Sequence, residues 1–192
     1  MMTPGLSFFY GGMVRAKNVI STMLQSFIVM GVVSVIWVVF GFGLAFGDDW
    51  LHIIGNPVDF FMFNNVGVQN VTAAESERIA TEVGGSIGLA TTTIPLALFA
   101  LFQMKFAIIT PSLITGSFAE RVRFSGYLIF MILWVILVYC PLAHVTWHPD
   151  GLLAKWHVHD FAGGIVVHAA SGVAALAGAL FLGKRTSTKD SQ

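Results

Sequence analysis

The chain has 192 residues, of which 56% are hydrophobic and 10% are charged, and its formal net charge is zero. Soluble domains carry about 25% charged residues, so this composition and the mean hydropathy of +0.79 indicate a membrane protein. The neutral charge gives no basic surface for nucleic acid, and the single cysteine, Cys140, excludes a disulfide framework within the chain and a cysteine metal site.

Long apolar stretches divide the chain into membrane spans, because a helix needs about 20 mostly apolar residues to cross the hydrocarbon. The opening stretch, residues 1–14, is too short to span alone and resembles the end of a helix. It also makes a poor signal peptide, since no basic segment precedes it. We therefore predict an all-α, polytopic membrane helix bundle with a partial first span, followed by four full spans at residues 18–47, 86–119, 124–149 and 161–183.

Basic residues at the ends of the spans predict the orientation, because Lys and Arg near span ends stay cytoplasmic. One side carries only Arg78 and Lys155, together with the acidic loop 48–85. We expect that side and the N-terminus to lie outside. Seven basic residues fall on the other, inner side: Arg15, Lys17, Arg121, Arg123, Lys184, Arg185 and Lys189.

The polar segments outside the spans are few. Residues 70–85 predict a short helix outside the membrane, and Asn70 begins an Asn-Val-Thr glycosylation pattern, which is weak without a known compartment. The tail 186–192 is polar and without apolar periodicity, so we expect it to be disordered. We expect residues 1–192 to form a single membrane domain.

Small residues and two titratable groups mark the last span. Ala170, Ala174 and Gly178 recur at four-residue spacing, which lets helices approach closely in lipid. Asp160 and His168 are also spaced by multiples of four and should share a face in a regular helix. Asp160 fits either an N-cap or a ligand role. His168 fits either a core histidine bonded to a carbonyl or, as we favour for an ionisable group inside a membrane, a functional residue.

Aromatic residues suggest a site for a cation. Phe102 and Phe106 lie one turn apart, and Trp147 ends the span before the last loop. Indoles often anchor at membrane interfaces without binding a ligand. Together, however, three aromatic faces above His168 would attract a weakly hydrated cation.

These residues occur in stretches that resemble the ammonium transporter family, the Amt/Mep group with its Rh relatives. The matching stretches keep the family's order and cover nearly the whole chain. They are "PGLSFFYGGMVRAKNVISTM", "FQMKFAIITPSLITGSFAERVRFSGYLIF", "PLAHVTWHPDGLL" and "DFAGGIVVHAASGVAALAGALFLGKR". The resemblance implies a homotrimer in the plasma membrane, in which each subunit has its own pore built from two inverted five-helix repeats.

The resemblance also implies roles for the residues above. Trp147 and Phe102 would recruit ammonium at the outer side, Phe106 would form one ring of the gate beneath, and Asp160 would support this site. His168 would be the first of two pore histidines. Ammonium would be recognised as a cation, lose its proton and cross as ammonia, with no cofactor. The resemblance also implies that a cytosolic regulator of the PII type would dock on the inner loops.

The chain matches only the first inverted repeat, so the resemblance implies that the second half of the pore is missing. We expect this chain alone not to conduct ammonium, and His168 to face lipid or a partner. A charged lysine inside a span, such as Lys105, is energetically costly. We therefore favour a Lys105 side chain that contacts another subunit or extends to the membrane surface over one that lines the pore.

One alternative uses the outer loop, where His148, His157, His159 and Asp160 offer ligands for a divalent metal. No spacing there matches a defined metal site, so a metal-binding or metal-sensing membrane protein is the less favoured hypothesis. The sequence does not indicate an enzyme, because it contains no nucleophile paired with a base, no Gly-rich phosphate loop and no HExxH pattern.

Overall fold

The computed structural model describes residues 2–67 and 94–184. Four of the described segments are long and apolar enough to cross a membrane: Ala16–Phe46, Leu96–Phe118, Phe124–Lys155 and Gly164–Leu182. They are preceded by a shorter helix of 10 residues, Met2–Gly11. The predicted all-α membrane bundle with a partial first helix is therefore confirmed. Outside the described residues lie the predicted short helix at 70–85, Asn70, the start of the third predicted stretch at 86–93 and the tail 186–192.

The spans are built from α-helices joined by short π-helical segments. The α-helices are α1 (Met2–Gly11), α2 (Val19–Ile36), α3 (Phe42–Phe46), α4 (Leu96–Phe118), α5 (Phe124–Trp134), α6 (Cys140–Trp147), α7 (Leu152–Lys155) and α8 (Ala170–Leu182). The π-helical segments are π1 (Trp37–Gly41), π2 (Val135–Tyr139) and π3 (Gly164–Ala169). Short 3-10 turns lie at Ala16–Asn18 and Phe61–Phe63.

Helix α4 lies at the centre of the packing, against α1, α2 and α8. The predicted close approach of the last span is present, since a Cβ on Gly178 would lie 2.5 Å from Cε1 of Phe118 on α4. The core is aromatic where π1 meets π2. There the Trp37 and Tyr139 rings are 6.3 Å apart, and the Trp37 indole donates to the Ala100 carbonyl at 3.0 Å.

The basic connections meet at one end of the bundle, which we call the basic end. The Glu120 carboxylate accepts hydrogen bonds from the Arg15 backbone N–H at 2.9 Å and from Asn18 Nδ2 at 2.7 Å. Arg121 donates through Nη1 to the Gly183 carbonyl at 2.7 Å. Three connections that are distant in sequence are thereby held on the same side of the bundle.

The opposite end, which we call the histidine end, contains a small sheet that the sequence did not predict. Strands β1 (Asp49–Trp50) and β2 (Ile54–Gly55) pair antiparallel after α3. The His52 carbonyl accepts from the Leu152 N–H at 3.0 Å, which joins this hairpin to α7.

The last span begins later than predicted. The helix starts at Gly164 rather than at Asp160 or Phe161, and its first residues form π3. Gly163, directly before it, has a φ of +82°, in the left-handed region that favours glycine. Because Asp160 lies before the helix and π3 departs from the 3.6-residue period, the predicted shared face of Asp160 and His168 is wrong.

Candidate functional site

Three aromatic side chains that were singled out in the sequence are in contact. We call Phe102, Phe106 and Trp147 the aromatic cluster. The Phe102 and Phe106 rings meet edge to face with centroids 5.0 Å apart, as expected for residues one turn apart on α4. The Phe106 and Trp147 rings are 6.0 Å apart. Phe102 is 54% exposed, so the cluster presents an aromatic face at the surface of this chain.

The indole of Trp147 is fixed by the loop that precedes the last span. Trp147 is the last residue of α6, and its Nε1–H donates to the Asp160 carbonyl oxygen at 3.1 Å. This bond satisfies the polar edge of the indole, and the indole also makes an edge-to-face contact with Phe106. The placement of the aromatic cluster therefore depends on the backbone at Asp160.

The Asp160 carboxylate binds the start of the last span. Oδ2 accepts from the backbone N–H groups of Ile165 at 3.0 Å and Val166 at 2.9 Å. Unpaired N–H groups at a helix start carry partial positive charge, which a carboxylate satisfies. Asp160 thus makes capping hydrogen bonds from outside the helix and also supports Trp147 through its backbone carbonyl.

His168 lies within π3, and its side chain is exposed. Among residues 2–67 and 94–184, no hydrogen bond to its imidazole is present. Lys105 is exposed as well, on the same outward stripe of α4 as Leu98 and Phe102. In this chain both groups face away from the packed core.

The histidine end holds a polar cluster that the sequence did not reveal, formed by Asp49, His52, His144 and His148. His144 is fully buried and lies with Nε2 3.0 Å from Oδ1 of Asp49. His52 approaches the other oxygen, with Nδ1 2.5 Å from Oδ2. The His144 and His148 rings stack with centroids 4.4 Å apart. Since 95 residues separate Asp49 from His144, no local spacing could have indicated this pair.

The carboxyl of Asp49 is ionised more readily than an ordinary aspartate. Burial raises its pKa, but the hydrogen bond from His144 and the positive charge of His52 outweigh burial and lower the pKa on balance. The carboxylate form is therefore favoured at the centre of this cluster.

The alternative metal site is not favoured. His157 and His159 are exposed, His148 is buried against His144, and the Asp160 carboxylate is bonded to the last span. Within the described ranges, no group of three or more His, Cys, Asp or Glu residues has an arrangement that could hold a metal ion.

Comparison with known proteins identifies relatives of the whole chain. Residues 1–192 match the model of the Ammonium Transporter Family. An ammonium transporter of Mycobacterium bovis is 45% identical, covering 96% of this chain and 40% of the relative. An ammonium transporter of Bacillus subtilis is 44% identical, and the match covers 96% of this chain and 41% of the relative.

The fold agrees with solved structures. The crystal structure of Saccharomyces cerevisiae Mep2 matches with a TM-score of 0.77 at 34% identity, covering 96% of this chain and 37% of that chain. The crystal structure of Candida albicans Mep2 matches with a TM-score of 0.73 at 32% identity, covering 96% of this chain and 36% of that chain. The chain thus spans about 40% of the length of the curated relatives it matches. These relatives are transporters rather than enzymes, and the chain belongs to the ammonium transporter family.

Proposed function

We propose that the protein to which this chain belongs moves ammonium or ammonia across a membrane. The family match over residues 1–192 and the four apolar spans support this function. The substrate is ammonium, recognised as a cation at the outer side, and the surrounding medium is the lipid bilayer. No cofactor takes part in the proposed transport.

The aromatic cluster is the proposed recruitment site, and its geometry is the observation that carries the proposal. Ring faces attract cations by about 0.5 to 2 kcal/mol, most strongly at Trp. Trp147 and Phe102 would hold ammonium, and Phe106, in contact with both rings, would close the path beneath them. Asp160 supports the site by bonding Trp147 and the helix start.

His168 is the proposed pore histidine. Its position in π3 supports this role, because π-helical segments inside α-helices occur frequently at functional sites. A neutral imidazole donates one hydrogen bond and accepts another, so it can line a path for ammonia. The exposure of this side chain fits a pore wall that a second half of the transporter covers.

The proposed orientation places the N-terminus and the histidine end outside in the plasma membrane. The basic end gathers Arg15, Arg121 and Arg123 on one side, as the distribution of Lys and Arg in membrane proteins predicts for the cytoplasmic face. The family resemblance supports a homotrimer for the complete transporter, and a PII-type cytosolic regulator would dock on this basic end.

The chain by itself is proposed to be inactive. It spans about 40% of its relatives, and the Phe102 and His168 side chains are exposed rather than enclosed. A conducting pore must be enclosed by protein on all sides, because polar groups that face the hydrocarbon of the bilayer are energetically costly. The rest of the path would come from a second half.

Replacing Trp147 by Leu in the complete transporter tests the recruitment site. Losing the cation–π attraction should raise the KM for methylammonium by about 2-fold to 30-fold, with the maximal rate less affected. The matched control is Trp156→Leu, which removes a 66% exposed indole in the same loop region. Uptake into proteoliposomes measures both constants. Equal effects of the two substitutions, or an unchanged KM in Trp147→Leu, would contradict the proposed site.

A further inference from the structure

The buried His144 is bonded through both of its ring nitrogens. Nδ1 lies 3.0 Å from the Ala45 carbonyl oxygen on α3. Nε2 lies 3.0 Å from Oδ1 of Asp49 on β1. The ring is 0% exposed, so water cannot replace either partner.

Both partners of His144 are hydrogen-bond acceptors. A backbone carbonyl has no hydrogen to give, and a carboxylate that is ionised has none either. A neutral imidazole carries a hydrogen on one nitrogen only, so one of the two contacts would set a lone pair against an acceptor. With Asp49 ionised, both contacts are hydrogen bonds only if both ring nitrogens are protonated and the ring is an imidazolium.

The surroundings of Asp49 favour its ionised form. Its second oxygen is engaged by His52. Burial raises its pKa, but the hydrogen bond from His144, the charge of His52 and a backbone hydrogen bond at His52 outweigh burial and bring the pKa below the usual range. Removing one partner of a hydrogen-bonded ion pair in the protein interior is destabilising because the other charge is left unpaired, so such a pair resists separation of the elements that carry it.

Other titratable groups lie around this pair. His148 stacks on His144, and its Nδ1 accepts the Asp150 N–H at 3.1 Å, which leaves Nε2 to carry the proton of a neutral ring. Lys155 lies 3.2 Å from Nδ1 of His52 and 3.7 Å from the Asp150 carboxylate. The backbone N–H of Asp48 donates to the Asp59 carboxylate at 2.6 Å.

His144 stands one turn before Trp147 on α6. Its carbonyl accepts the His148 N–H at 3.1 Å, which closes the turn that carries Trp147. The bonds to Ala45 and Asp49 fix that turn against α3 and β1, and the Asp160 carbonyl accepts the indole N–H of Trp147.

We propose that His144 is a positioning residue for the aromatic cluster: as an imidazolium paired with Asp49, it fixes the last turn of α6 and thereby the indole of Trp147. This role rests on the proposed function of the aromatic cluster as the ammonium recruitment site. The protonation state of His144 does not rest on that function, and it can be measured without a transport assay.

Nitrogen-15 NMR of the transporter in bilayers, with labelled histidine, tests the imidazolium. The His144 signals are assigned by their loss in His144→Gln. We expect two protonated ring nitrogens at pH 7 in the native protein. In Asp49→Asn the amide can donate to Nε2, so one nitrogen should lose its proton. A single protonated nitrogen in the native protein, or no change in Asp49→Asn, would overturn the proposal.

Uptake kinetics test the positioning role. Asp49→Asn and His144→Gln should both raise the KM for methylammonium and leave the maximal rate unchanged. The increase should reach about 30-fold if the whole contribution of Trp147 to binding is lost. His159→Gln, an exposed histidine of the following loop, is the control and should leave both constants unchanged. A lower maximal rate at constant KM, or the same effect in the control, would refute positioning. If the native transporter takes up no methylammonium, the proposed function fails while the NMR result still decides the protonation.

Discussion

At the scale of single residues, Asp160 links the start of the last span to the aromatic cluster. One carboxylate oxygen accepts two backbone N–H groups, and the backbone carbonyl of the same residue accepts the indole N–H of Trp147. Helix-start hydrogen bonds of this kind contribute about 0.5 to 2 kcal/mol to stability. Asp160 therefore stabilises the fold and the candidate site together.

Asp160→Ala should lower the apparent unfolding temperature, because the N–H groups of Ile165 and Val166 lose their acceptor. Asp160→Asn should have the smaller effect, since its amide oxygen can still accept both bonds, although without charge. Thermal unfolding in detergent compares the two variants with the native protein. The capping role would be wrong if both variants unfolded at the native temperature.

Residue patterns in the sequence identified some of these contacts and missed others. The four-residue spacing predicted that Phe102 and Phe106 lie one turn apart, and their rings are in contact because α4 is regular there. The placement of Asp160 on the face of His168 was wrong, because a left-handed Gly163 and π3 intervene. The pairing of His144 with Asp49 depends on how α6 packs beside β1, which no local period encodes.

At the scale of helices, small residues set how closely the last span approaches α4. A Cβ at Gly178 would come within 2.7 Å of two atoms of the Phe118 ring, and that ring packs on Phe130 with centroids 5.0 Å apart. The ring therefore has little freedom to move aside, and the two helices would have to separate.

Gly178→Val should destabilise the bundle by about 1 to 3 kcal/mol, the usual cost of overpacking. Gly172→Val is the matched control on the same helix, because nothing lies within 4 Å of a Cβ at that exposed position. Apparent unfolding temperatures of the two variants should differ clearly. Similar losses in both would show that helix propensity, not the contact with Phe118, limits this site.

Glu120 joins the first connection to the α4–α5 connection at the basic end. Hydrogen bonds from the Asn18 side chain and the Arg15 backbone lower the pKa of its carboxyl, against a smaller effect of desolvation. A lowered pKa in the folded state means that the stabilisation is present above the unfolded pKa of about 4.3 and is lost as the pH falls through the folded pKa.

Glu120→Gln should therefore lower the apparent unfolding temperature at pH 7, and the difference from the native protein should shrink as the pH is lowered from about 5 to 3. Thermal unfolding across this pH range provides the measurement. A difference that stays constant down to pH 3 would assign the effect to the shape of the side chain instead of its charge.

The helices were more predictable than their connections and irregularities. Apolar length predicted all four spans, because crossing lipid demands a long uncharged helix. The β1–β2 hairpin and the π-helical segments were not predicted. The hairpin lies in a connection that was predicted only as a loop, whereas the π-helical segments lie inside apolar stretches whose pattern indicates continuous helix.

At the scale of the whole molecule, side chains of the proposed transport path and of the last helix are exposed in the described part of the chain. Phe102 and His168 are exposed, and so are Val173, Leu176 and Leu180 on α8. Together with the 40% coverage of the Mycobacterium bovis relative, this agrees with a fold that needs further helices to enclose a path.

The 192-residue chain alone, purified and placed in liposomes, should give no saturable methylammonium uptake above that of protein-free liposomes. The physical reason is that an unclosed wall of aromatic and imidazole side chains provides no path sealed from lipid. Saturable uptake by this chain would contradict the proposed inactivity of the half.

The most direct test of ammonium transport is methylammonium uptake by the complete native transporter in proteoliposomes. We predict saturable uptake that ammonium chloride competes with and sodium chloride does not, because sodium holds its water too strongly to be stripped at an aromatic site. Uptake no faster than in protein-free liposomes, or uptake that ammonium does not reduce, would contradict the proposed transport of ammonium.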